Sequence, residues 1–121
     1  MFARPVAGAR ASQHHRVMRL PDAHTLHHAR GTMLGWSPPA ARFGAPAVVL
    51  LHGAACGPWV WNEGFGARLA SAGHAVFAPE FRRGGKSAPG LADYAEDLRA
   101  ALAAIRRPAV LVGHSLGALV A

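Results

Sequence analysis

A single cysteine, Cys56, is all the thiol in 121 residues, so no internal disulfide can form and the reducing cytoplasm is the expected compartment. Acids are scarce too. Six Asp and Glu stand against thirteen Lys and Arg, a net charge of +7. Before Ala47 the only acid is Asp22, so the basic excess belongs to the amino-terminal stretch, and residues 1–21 read as a basic, disordered arm. Its arginines (Arg4, Arg10, Arg16, Arg19) superficially suit an organelle transit peptide and interrupt any secretory apolar core; an untargeted tail is the expected reading. They stand singly, with no aromatic residues between them for base stacking, so nucleic acid is not an expected partner. No apolar run nears the ~18 residues of a membrane helix, which leaves no candidate span. Large apolar side chains are few as well. The chain is 51% apolar, but 27 residues are alanine, so the core must come from Leu, Val, five Phe and three Trp.

What is present becomes regular after Ala47. Before it, His24 to His28 and Met33 to Trp36 suggest a short hairpin of weak alternation, and the prolines of Ser37 to Pro46 mark a loop. Then three apolar runs without alternation follow: Ala47 to Leu51, Ala75 to Ala78 and Ala109 to Val112. Runs of that kind, bounded by Gly or Pro, read as strands buried on both faces. Helical patterns lie between them. Trp61, Phe65 and Leu69 recur every four residues, with Gly73 as a C-cap. Leu91, Leu98 and Ile105 stand seven apart, with Ala95 and Leu102 on adjoining rows. Charges on this second pattern follow the helix dipole: Asp93, Glu96 and Asp97 early, Arg106 and Arg107 late, and Pro108 to end it. Strand, helix, strand, helix, strand predicts an α/β fold with a parallel sheet.

The third run leads into "GHSLG", with Gly113 and Gly117 two residues either side of Ser115. A sharp strand-to-helix turn strains the serine backbone, and side chains at the flanking positions would collide with neighbouring chain. This is the G-x-S-x-G pattern of a nucleophile elbow, which lifts the hydroxyl above the sheet while the N–H of Leu116 faces the same point. A plain tight turn could use the same five residues. Two further loops, His52-Gly53 after the first strand and residues 79–87 after the second, would meet Ser115 at the carboxyl ends of the strands, where open α/β sheets build their sites.

Ala47 to Ala121 resembles the amino-terminal half of an α/β-hydrolase: His52-Gly53 with Trp61 nine residues on, the Arg-Gly-rich loop, the "YAEDLRAAL" helix and GHSLG, in that order. The wording of "LLHGAACGPWVW" is similar to the esterase and hydroxynitrile-lyase branch. The resemblance implies Ser115 as nucleophile and the N–H groups of Leu116 and Ala54 as oxyanion hole. It implies an acid and a histidine downstream of Ala121, so 22–121 is expected to be a truncated domain of mostly parallel sheet flanked by helices, ending just after the elbow. Where the family's loop reads D-x-R-G-x-G-x-S, this one has Glu80 for the acid and Arg83 for the first glycine.

The expected function is thus hydrolysis of a small-molecule carboxylic ester or related acyl substrate through an acyl-enzyme, with no metal or cofactor. A serine at this position speaks against the dehalogenase and epoxide-hydrolase branches, which the family equips with aspartate. Thioesterase, acyltransferase and lyase chemistries use the same parts. An inactive remnant, an obligate half awaiting a complementary carboxyl-terminal chain, and a basic-arm binding module are the rival readings. "GGKS" (residues 84–87) lacks the glycine a phosphate loop needs at position 80. His14, His15, His24, His27 and His28 offer pairs without further ligands at zinc spacing. His52 reads as shaping its loop, His114 as diverging from its neighbour, and Cys56 as a packed or partly exposed thiol.

Overall fold

The computed structural model describes residues 19–84 and 87–121. The arm up to residue 18, with His14 and His15, and the Gly85-Lys86 pair lie outside them. Five strands form one mixed sheet: β1 (His24–His28), β2 (Gly31–Trp36), β3 (Ala47–Leu51), β4 (Val76–Pro79) and β5 (Ala109–Gly113), in the order β1-β2-β4-β3-β5. β3 pairs in parallel with both β4 and β5. The expected hairpin forms too. Its second strand runs antiparallel beside β4, which extends the parallel part at one edge.

β3 is central and buried along its whole length. Its side chains alternate between two cores, as the pleat requires. Ala47, Val49 and Leu51 face one with Met33, Phe81, Leu98, Ala101 and Ile105. Val48 and Leu50 face the other with Trp36, Ala67, Ala70, Val76 and Ala78. A strand with both faces covered has no polar side to show, which is why its sequence is apolar throughout, Val and Leu after Ala47. Each such side chain removed from water contributes about 1.5–3 kcal/mol.

One helix covers each face. α2 (Leu91–Ile105) sends Leu98, Ala101 and Ile105 into the first core, while Leu91 is exposed. It ends at Arg106, which turns left-handed at φ 58°, so Arg106 and Arg107 stand just past the last turn rather than within it. α1 (Phe65–Ser71) covers the second core, and the four-residue repeat holds in part: Trp61 and Leu69 pack half-buried against that core, and Phe65 does not. Trp61 belongs to a separate 3₁₀ turn, Pro58–Trp61, and Gly64 at φ 99° interrupts the path to α1. What α1 buries is Gly66, Ala67 and Ala70, while Phe65 is exposed. The reason is Trp36. A Cβ on Gly66 would stand 2.8 Å from its indole, so the helix meets the large residue with its smallest side. Gly73 follows at φ 104°, as the C-cap signal anticipates. A short α3 (Leu116–Val120) follows β5 after two residues.

Candidate active site

His114 and Ser115 alone separate β5 from α3, and the backbone must reverse direction within them. Ser115 takes up the strain, at φ 53° and ψ −117°. A non-glycine residue in such a region costs on the order of 1–3 kcal/mol, which surrounding packing must impose. Both flanking glycines show how. A Cβ on Gly113 would stand 2.5 Å from the Ala118 backbone nitrogen and Cα. One on Gly117 would overlap the carbonyl of Leu51 at the end of β3. Neither obstacle is a side chain that can swing away. The His114 N–H donates to that same Leu51 carbonyl at 3.0 Å, which ties the turn to the central strand. The Ser115 side chain is exposed and makes no capping bond to α3.

Beside the turn lies a cavity of about 250 Å³ lined by His52 to Cys56, Phe81 to Gly84, Tyr94 and Leu116. Loops from the carboxyl ends of three parallel strands therefore converge here. Ser115 does not line the cavity itself; its Cβ lies 3.3 Å from where a Cβ on Gly53 would be, so the glycine lets the two loops touch. Ala54 and Leu116 do line it, and among the described residues neither N–H has a backbone acceptor. Ala55, in the same loop as Ala54, also stands at positive φ, 58°, as Ser115 and Arg106 do. Cys56 is a half-buried free thiol.

His52 is buried, and both of its ring nitrogens are engaged. Nδ1 donates to the Gly53 carbonyl at 2.8 Å, and Nε2 accepts from the Phe81 N–H at 3.1 Å. This clamps the loop after β3 to the loop after β4 and holds the ring neutral. Burial pushes its pKa below the usual value; the Gly53 hydrogen bond and Glu80 oppose the shift, and Arg83 adds to it. With Nε2 occupied by an N–H, His52 has no lone pair to take a serine proton. His114 is exposed, with Nδ1 3.0 Å from the same virtual Cβ on Gly53.

Asp97 is a feature that the sequence reading assigned only to helix polarity. Its side chain is 2% exposed, yet it carries a charge. Arg82 satisfies it three ways: the backbone N–H reaches Oδ2 at 3.1 Å, Nε reaches both oxygens at 3.1 Å, and Nη2 reaches Oδ1 at 2.6 Å. Arg30, from the hairpin turn, adds Nε to Oδ1 at 3.1 Å. Burial alone would raise the carboxyl pKa; the hydrogen bonds from Arg82 and Arg30 outweigh it and hold the pKa below the ordinary value. A signal was present. Asp97, Ala101 and Ile105 share one four-residue stripe, and an acid in an apolar stripe needs a buried partner.

A family model described as the alpha/beta hydrolase family matches residues 48–121. The chain belongs to that family. Comparison with curated protein sequences finds no match. Among solved structures, epoxide hydrolase A from Mycobacterium thermoresistibile is 30% identical, with 83% of this chain and 33% of that one covered and a TM-score of 0.59. Haloalkane dehalogenase DbeA from Bradyrhizobium elkani is 24% identical over 82% of this chain and 35% of its own, with a TM-score of 0.58. A membrane phospholipase A described as a bacterial virulence factor is 19% identical over 84% and 34%, with a TM-score of 0.62. The last two likenesses show the fold alone. The chain spans about a third of the length of each of these structures.

Proposed function

We propose that this chain carries the nucleophile and oxyanion donors of a serine hydrolase acting on a carboxylic ester or related acyl substrate, the acid and histidine lying outside these residues. One observation carries the reading. A strained, exposed serine stands beside a cavity whose lining includes Ala54 and Leu116, and among the described residues the N–H groups of these two lack backbone acceptors. Ser115 Oγ would attack the acyl carbon as its proton passes to the incoming histidine, and the two N–H groups would hold the oxygen that becomes negative. Collapse expels the alcohol with that proton, and water then cleaves the acyl-serine. His52 cannot serve as the base, for the reason given above, and the family's order of serine, acid, histidine puts both partners later in the chain.

The likeness to epoxide hydrolases and dehalogenases does not transfer their chemistry. A serine that opened an epoxide or displaced a halide would be left as an ether, which has no carbonyl for water to attack, so turnover requires an acyl centre. The test is fluorophosphonate labelling mapped by mass spectrometry. Ser115 should react when the chain is joined to a segment that supplies the acid and histidine, should not react in the 121 residues alone, and should be silent as Ser115→Ala. An assembled protein that stays unlabelled at Ser115 would mean an inactive remnant.

A further inference from the structure

Two arginines line the cavity beside Ser115, and among the described residues no acid does. They are not equivalent. Arg82 is spent on Asp97, on the Asp93 carbonyl at 3.2 Å and on the Asp93 carboxylate at 3.5 Å, so its charge is neutralised inside the fold. Among the described residues, Arg83 meets only Glu80 Oε1, at 3.4 Å, with the guanidinium side chain 71% exposed. Glu80 lines the neighbouring cavity and not this one. An exposed pair of that length is weakly held and exchanges easily for another anion.

The backbone leading into Arg83 is held, while its side chain is mostly exposed. Phe81 N–H is held by His52, and Arg82 N–H by Asp97. Arg83 lines the cavity, with Nη2 3.5 Å from where a Cβ on Gly57 would be, next in sequence to the Ala54 to Cys56 segment of the lining. This is the position where the family's loop has glycine, which has no side chain to put there.

We propose that Arg83 is a specificity residue that selects acyl substrates bearing a second anionic group, a carboxylate, a few bonds from the reacting carbonyl. The inference rests on the hydrolase reading for the word substrate, but the anion site itself does not need Ser115. Monomethyl succinate and dimethyl succinate differ in that one charge and are the probes, titrated into ¹⁵N-labelled chain with the Ala54, Gly57 and Arg83 signals followed. The charged ester should bind at least tenfold more tightly at low salt, and the advantage should shrink in 1 M NaCl. Arg83→Ala and Arg83→Gln should abolish it, Arg83→Lys should keep part of it, and Ser115→Ala should keep all of it. Equal affinity for the two esters, no binding of either, or a preference that survives Arg83→Gln would overturn the assignment. Preference for the charged ester with Ser115 unreactive in the assembled protein sinks the hydrolase reading alone. A reactive Ser115 without that preference sinks the Arg83 assignment alone.

Discussion

Ser115 holds a conformation that its own side chain disfavours, and the two glycines around it are the reason it has no other choice. Stability and chemistry are therefore opposed at this residue. Ser115→Gly should relieve the strain and raise unfolding free energy by about 1 kcal/mol, the gain being reduced by the greater freedom of glycine in the unfolded chain. Ser115→Ala removes the same hydroxyl but keeps a Cβ, so urea unfolding should show little or no gain. Equal stability of the two variants would mean that the turn is relaxed. The spacing of Gly113 and Gly117 was legible because a backbone collision needs only local chain to occur. That the obstacle at Gly117 is the Leu51 carbonyl, 66 residues earlier, was not legible, since it depends on β3 lying beside β5.

At the scale of elements, α2 and the loop after β4 behave as one unit because Asp97 binds both the backbone and the guanidinium of Arg82. Asp97→Ala should destabilise the fold by about 3 kcal/mol, measured by urea denaturation, since it leaves Arg82 without its buried partner. The Phe81 to Gly84 segment should lose protection from amide exchange in the same variant. A loss below ~0.5 kcal/mol, the usual size for a surface site, would show that the cluster is only a surface contact. Period alone could place α2, whose apolar rows face the sheet. For α1 it was right in part. Leu69 and the preceding Trp61 do pack against the second core, but Phe65 is exposed, and the fully buried residues are Gly66, Ala67 and Ala70, which meet the indole of Trp36 with little side chain. A pattern within one element reports the face it offers but not the shape of what it meets.

For the whole molecule, His52 and Asp97 set two windows of acid sensitivity. The native state keeps His52 neutral, with its pKa lowered, whereas the unfolded chain takes up that proton near the ordinary value of about 6.5. Stability should therefore fall as pH drops below about 6.5, flattening once the folded value is passed. Asp97 acts lower down: its folded pKa is depressed, so its contribution is full above about 4 and is lost as pH falls further through the folded value. Unfolding free energies at pH 7.5 and 5.5 test the first window, and His52→Gln should narrow the difference. An unchanged difference would assign the sensitivity to other groups. The order of strands and helices, the class of the sheet and the glycine-flanked serine are properties of short stretches of chain, set by period, side-chain volume and backbone sterics, and the amino-acid order alone determined them. Which residues share the cavity, why His52 has no free nitrogen and why Arg83 has an exposed partner while its neighbour Arg82 has a buried one depend on contacts between loops far apart in the chain. Only the packed sheet, by bringing three strand ends to one point, decided those.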